Sequence, residues 1–357
     1  MLAKLSAANF RIIDRAEVIP SSGFNILCGA NGQGKTTFLE AIHLVSTGRL
    51  WKGAKDVQAI QDGRDETLVS AQLTQSGTEL AVHIVRGSRR KAMVNSLGLP
   101  RASDLLGRLP TVSFSAVDLE IVRGEPADRR DFLDEELAQL YPAYLRHLAA
   151  YKRAVEQRNA LLRQAREYWP GPEVFEPWEE SLAEHGQGLR KFRVQWLNEI
   201  TPIAAAHHAH LSEGEVLNLT YMAKDEDLSA RTLAATRGED IARGSTSLGP
   251  HRDEVLITIS GREGRIFASQ GQQRTAVISL KLAVQSLAQR VFGYPPVLLL
   301  DDVFSDLDAR RRGALVDFAQ SQQAQVFLSC TESEMAGSGL ISQSTVFRVE
   351  SGRIHQD

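Results

Sequence analysis

Cysteine is scarce: Cys28 and Cys330 are the only two in 357 residues. Two thiols cannot build a disulfide framework or a cysteine-rich metal site. Both fall in apolar stretches that read as buried strands, so a reducing compartment is the expected setting. Long hydrophobic runs are missing too. The longest relevant one, Val297-Leu298-Leu299-Leu300, falls far short of the roughly 18 residues a membrane-spanning helix needs. The first residues, MLAKLSAANFRIID, are polar and charged where an export signal needs an apolar stretch, which makes the cytoplasm the expected location. Net charge is nearly absent: 41 Lys and Arg oppose 44 Asp and Glu, a formal −3. Alone, that balance speaks against a nucleic-acid partner, although it says nothing about distribution. No internal repeat or low-complexity tract is present. A hydrophobic share of 43% with 24% charged residues excludes disordered and fibrous classes.

What is present has a bracketed organisation, and the length suits about two domains. Phe24–Cys28 is a short apolar run between Gly23 and Gly29, the pattern of a buried strand. A helix is expected from Lys35 to Thr47, closed by Gly48. Residues 67–72 and 79–86 alternate as paired strands, with a further hairpin over 89–99. Between Asp128 and His210 the apolar positions step by three or four, and Pro142 and the Pro170–Pro177 stretch break them into at least three helices. Strand signals return at 255–259, 297–300 and 326–329, with helices over 272–290 and 308–320. The expected fold is α/β (α+β), with the N-terminal part of a β/α lobe over 1–112, an inserted helical lobe over 113–244 and the C-terminal part of the β/α lobe over 245–357. Sustained heptads for a long coiled coil are lacking.

The strongest chemical signal is Gly29-Ala30-Asn31-Gly32-Gln33-Gly34-Lys35-Thr36, after a strand and opening a helix. It fits the phosphate-binding loop G-x4-G-K-[ST]. Its glycines let N–H groups turn toward phosphate oxygens, and the helix N-terminus adds partial positive charge. Lys35 is expected on the β- and γ-phosphates of ATP and Thr36 on Mg²⁺, with Thr37 and Arg11 in the same nucleotide-contacting set. The strand Val297–Leu300 delivers Asp301 to the cation and Asp302 toward the attacking water. Lys35 and Asp302 are thus the expected catalytic pair. Ser269-Gln270-Gly271-Gln272 opens a second helix, 32 residues before Asp301, and offers another anion site.

These pieces, in this order, resemble the ATP-binding-cassette ATPases. The resemblance implies a homodimer formed on ATP, in which Ser269, Gln270, Gly271 and Gln272 meet the nucleotide held by a second subunit. It makes Ser305, Asp306 and Asp308 a D-loop at the partner. Thr331 stands where many such ATPases place a switch histidine, and 112–115 lack the glutamine expected of a Q-loop. The 233-residue interval from Thr36 to Ser269 points to the SMC/Rad50-like branch.

Further stretches resemble the RecF family: Asn9-Phe10-Arg11, Thr47-Gly48-Arg49, Arg129-Arg130-Asp131-Phe132-Leu133-Asp134, Gly249-Pro250-His251-Arg252-Asp253 and Ser269-Gln270-Gly271-Gln272-Gln273-Arg274. Leu50-Trp51-Lys52 departs from the family's more polar run. The resemblance implies a slow, DNA-stimulated ATPase of recombinational repair and replication-fork maintenance, linked to DNA damage and the SOS response. It implies binding to double-stranded DNA and gapped junctions, work with RecR and RecO to load RecA, association with the nucleoid and no membrane partner. An SMC-like structural head, or another chromosome-maintenance ATPase, is the alternative.

Charge is segregated along the chain. Residues 86–108 carry a local +5, 144–166 another +5, and 167–184 a local −6. Arg89, Arg90 and Lys91 form the expected contact with DNA phosphates. The alternative for 144–166 is a solvated helix face. His207, His208 and His210 read as a helix-end cluster, since no ligand pair accompanies them.

Overall fold

The helix Lys35–Thr47 has almost no polar face: Phe38, Leu39, Ala41, Ile42, Leu44 and Val45 are all buried. A helix apolar all round needs cover on opposite sides, and two six-stranded sheets supply it. The computed structural model describes residues 1–74, 76–212, 214–332 and 337–357, and the side chains of Lys52, Asp306 and Ser338 lie outside the described residues.

One sheet is antiparallel, in the order Ile13–Val18, Leu2–Phe10, Glu66–Leu73, Glu79–Val85, Lys91–Val94, Leu97–Gly98. Alternation along Glu66–Leu73 turns Thr67, Val69 and Ala71 inward. The other sheet runs Arg353–Gln356, Thr345–Glu350, Phe24–Cys28, Val326–Cys330, Val297–Asp301, Thr111–Phe114, parallel except for the antiparallel hairpin 345–356. Its central strands are buried almost throughout, as parallel strands covered on both faces are. Leu299, Phe327, Phe347 and Val349 from this sheet share one core with Leu5, Val69 and Val82 from the other. The carboxyl ends of its parallel strands are where an α/β sheet holds ligands.

This architecture belongs to one compact unit, Met1–Asp118 with Val284–Asp357. The second unit is Leu119–Ala283. Helices Pro126–Leu140, Pro142–Gln164 and Glu176–Leu211 dominate it. The break at Tyr141 follows from Pro142, which starts a helix without offering an N–H. The 36 residues of Glu176–Leu211 would span about 54 Å, and they fold back on Pro142–Gln164 within the unit. No long coiled coil is present among the described residues.

The lobe boundary differs from the expected one at 244. Strand Glu254–Ile259 pairs antiparallel with Leu217–Met222, and Lys281 reaches Glu136 at 3.2 Å. Pairing across the inserted lobe, invisible in local pattern, groups 245–283 with the helices. The basic stretch 144–166 also proves partly internal. Arg158 is fully buried and bonds Asp240 at 2.7 Å, Thr246 at 3.0 Å and Glu179 at 3.2 Å. His208 is buried against Ser279 Oγ at 3.2 Å, and no cluster of three or more metal-binding groups occurs among the described residues.

Candidate nucleotide-binding site

The loop 29–34 joins strand Phe24–Cys28 to helix Lys35–Thr47. A Cβ at Gly29 would stand 2.2 Å from the Val349 carbonyl oxygen, so only glycine lets the loop leave its strand here. Gly34 sits at φ 113° as the helix N-cap, a region that glycine occupies without steric penalty. The helix start has no side-chain cap and no acidic residue in its first turn. Its first N–H groups therefore remain available to an anion. Gln33 is anchored from the far end of the chain: its carbonyl accepts the Gly352 N–H at 2.8 Å and its Oε1 the Ser351 N–H at 2.6 Å.

Lys35 is buried and donates to the Gly29 and Ala30 carbonyls at 2.5 and 3.0 Å. Its ammonium thus lies within the loop's own curve. Thr36 Oγ donates to Asp301 Oδ1 at 2.9 Å, and Ser329 Oγ donates to the same oxygen at 2.8 Å. Burial pushes the Asp301 carboxyl above its ordinary value, against the hydrogen bonds from Ser329 and Thr36. Asp302 adopts φ 53°, ψ 26°, left-handed for a non-glycine residue, while its N–H donates to Ser329 Oγ at 2.9 Å. Ser329 comes from the strand between the Phe24–Cys28 and Val297–Asp301 strands and holds both aspartates. Arg11 donates to the buried Glu40 at 2.7 Å, and the same Glu40 oxygen accepts the Trp51 N–H at 3.1 Å. Trp51 packs its ring on His43 with centroids 5.6 Å apart.

Arg11, Asn31, Gly32, Gly34, Lys35, Thr36, Thr37, Asp301 and Asp302 line one cleft of about 350 Å³. The donor set fits a nucleotide with its cation: inward N–H groups and one ammonium for phosphates, and hydroxyl and carboxylate oxygens for a hard ion. Ser329 and the Ser351–Gly352 turn had no signal in the sequence, because each acts only through tertiary contact.

The remaining predicted residues lie elsewhere on the chain. Ser269 and Gln272 form a reciprocal cap: Ser269 N–H donates to Gln272 Oε1 at 2.7 Å, and Gln272 N–H to Ser269 Oγ at 3.3 Å. Gln272 Nε2 also bonds Glu215 at 2.6 Å. Ser269 and Gln270 are exposed, and a Cβ at Gly271 would meet nothing nearer than Ser269 Oγ at 3.9 Å. Ser305 donates to the Asp302 carbonyl at 2.7 Å, and Asp308 caps the helix Ala309–Ser321 by accepting the Arg311 N–H at 2.9 Å. The Asp306 side chain lies outside the described residues. Thr331 follows strand Val326–Cys330 in a bend. Of the basic hairpin, Arg89 and Lys91 are exposed, but Arg90 turns inward to Asp56 and to the Gly48 carbonyl at 2.5 Å. That pairing removes Arg90 from the residues free to meet phosphate.

Gly249-Pro250-His251-Arg252-Asp253 is a structural hub of the helical unit. Asp253 accepts from Arg190 at 2.7 and 2.9 Å, Tyr221 at 2.6 Å and the Lys224 N–H at 3.0 Å. Burial raises the Asp253 carboxyl, but these donors outweigh it and hold the group below its ordinary value. His251 lies between Tyr151 O–H at 2.6 Å and the Thr246 carbonyl at 3.1 Å. That pair fixes a neutral imidazole with its proton on Nε2, and burial lowers its pKa to about 4.

A phosphate loop on a helix between two sheets, a carboxylate strand beside it and an inserted helical unit define an ATPase head of the ATP-binding-cassette class. The chain matches the RecF/RecN/SMC N-terminal domain over residues 1–355. It is 38% identical to the DNA replication and repair protein RecF of Symbiobacterium thermophilum, covering 100% of this chain and 98% of that protein. The chain belongs to the RecF family. Its fold matches the structure of the recombination mediator protein RecF-ATP in the RecFOR pathway, with TM-score 0.90, 27% identity, and coverage of 100% of this chain and 99% of that one. It also matches the Smc head domain of Pyrococcus furiosus, with TM-score 0.59, 14% identity and coverage of 100% and 95%.

Proposed function

We propose that the chain is an ATP-driven switch of recombinational DNA repair. It binds and slowly hydrolyses ATP, dimerises on ATP, and binds double-stranded DNA at gap junctions. With RecR and RecO it helps load RecA. The observation that carries this reading is the single cleft in which Lys35, Thr36, Asp301 and Asp302 converge, within a chain that matches RecF proteins along its full length.

The roles follow from the donor set. Lys35, now on two loop carbonyls, exchanges them for phosphate oxygens. Thr36 and Asp301 supply the oxygens that hold Mg²⁺, which when bound neutralises phosphate charge. Asp302 orients the water. Ser269, Gln270, Gly271 and Gln272, on an open helix start, take the phosphate of a nucleotide held by a second copy, with Ser305, Asp306 and Asp308 at the same seam and Thr331 at the switch position. Arg89 and Lys91 meet DNA backbone phosphates.

The test is light scattering on the eluting protein, with and without ATP–Mg²⁺ and a gapped duplex. The wild type is expected to double in mass with ATP. Lys35→Met loses nucleotide binding. Ser269→Arg binds ATP but stays monomeric. A wild type that is monomeric in every condition, or a Ser269→Arg chain that dimerises normally, overturns the reading.

A further inference from the structure

The only two cysteines are set opposite each other by the fold. Strands Phe24–Cys28 and Val326–Cys330 run side by side in parallel, and Cys330 pairs with Cys28 in their register. The two sulfurs lie 3.5 Å apart. Adjacent strands hold paired Cα atoms about 4.8 Å apart, inside the ~4.4–6.8 Å that a disulfide spans. Closing the gap to about 2.05 Å therefore needs side-chain rotation and a small drawing-together of the two strand ends, not a rearranged sheet. Cys330 is buried and Cys28 partly exposed. None of the nucleotide chemistry uses either thiol.

We propose that Cys28 and Cys330 are an oxidisable dithiol that closes to a reversible intramolecular disulfide under a peroxide-class oxidant, at the root of the nucleotide loop. Cys28 is the attacking member. Its hydrogen bond with Cys330 holds its thiol below the ordinary value despite burial, whereas the same contact and burial push Cys330 up. The Cys28 sulfur attacks one peroxide oxygen. An S–O bond forms, the O–O bond breaks, and the departing hydroxide leaves as water with the Cys28 proton. The Cys330 sulfur then attacks the Cys28 sulfur. The S–S bond forms, the S–O bond breaks, and the second hydroxide leaves as water with the Cys330 proton. The two sulfurs give up two electrons to the peroxide, and an external dithiol reverses the step.

The bridge bears on the loop because Gly29 follows Cys28 and Thr331 follows Cys330. Gly29 has no slack, with the Val349 carbonyl 2.2 Å from where its Cβ would be. Closing the sulfur gap by about 1.5 Å pulls on that fixed neighbour. The bridged chain binds ATP more weakly, and bound nucleotide opposes the bridge by the same factor. This coupling rests on the nucleotide reading above; the bridge itself does not.

The experiment treats the full chain with graded hydrogen peroxide, quenches with an alkylating reagent and measures intact mass. A monomer about 2 Da lighter, with no alkylated thiol and restored by dithiothreitol, is expected. Cys330→Ser should trap a dimedone-reactive sulfenic acid on Cys28, and Cys28→Ser should form no bridge. Two alkylatable thiols after treatment, or a cross-linked dimer instead, overturns the site. A fluorescent ATP analogue then reads the coupling: Kd of the bridged chain rises at least about fivefold and recovers on reduction. An unchanged Kd overturns the coupling alone. No binding in either redox state overturns the nucleotide reading and leaves the mass result standing.

Discussion

Asp302 carries a backbone conformation that its side chain does not favour. At φ 53° a non-glycine residue stores about 1–3 kcal/mol, and the Ser329 hydroxyl holds it there through the 2.9 Å bond to its N–H. Replacing Asp302 by glycine should relieve that strain. The Asp302→Gly chain is expected to unfold up to about 1 kcal/mol later in urea and to lose ATP hydrolysis. A variant that is less stable, or that still turns over ATP, shows that the strain does not serve the site. The second residue-scale expectation concerns pH. His251 is held neutral, with a pKa near 4 against about 6.5 when unfolded. The unfolded chain therefore binds the proton first as pH falls. The stability from this group is complete above about 6.5 and drains away toward 4, roughly 3 kcal/mol in all. An imidazole resonance of His251 that titrates near 6.5 in the folded chain would remove the basis for this.

At the scale of elements, the basic hairpin separates into different jobs. Arg90 ties the hairpin to Asp56 and Gly48, while Arg89 and Lys91 point to solvent. Reversing the charge of Arg89 and Lys91 together should weaken DNA binding and flatten its salt dependence by about two counterions, with thermal stability unchanged. Arg90→Ala should do the opposite, losing about 1–3 kcal/mol of stability with little direct effect on DNA. Equal salt slopes for the two variants would refute the division.

This hairpin also illustrates what local sequence can tell. The phosphate loop, the helix Lys35–Thr47 and the strand before Asp301 were legible because glycine, lysine and apolar runs at fixed spacing are dictated by local chemistry. Pro142 marked its helix break for the same reason. Arg90 was not legible, since its partner is 34 residues away. Nor was the union of Arg158 with Glu179, which folds part of the basic stretch onto part of the acidic one. The near-neutral total thus hides an internal cancellation as well as charge segregated along the sequence.

At the scale of the molecule, the site is made from the two ends of the chain. Phe24–Cys28 stands between Val326–Cys330 and Thr345–Glu350, and the turn after Glu350 grips Gln33. Only the nesting of one unit's residues around the other was readable in advance. The exact partition was not, because strand pairing such as 254–259 with 217–222 is non-local. Disrupting the turn by Gly352→Val should leave every phosphate-loop residue intact yet weaken nucleotide binding about tenfold or more, read by titration with a fluorescent ATP analogue. Unchanged affinity would mean the turn is a bystander.

The same turn sets a schedule. The phosphate loop leaves the ribosome early, but the Val349 carbonyl that backs Gly29 and the Ser351–Gly352 N–H groups that hold Gln33 emerge far later. At about 5–20 residues per second, more than ten seconds of synthesis separate them. A growing chain therefore carries the loop's letters long before it has the contacts that hold the loop's shape.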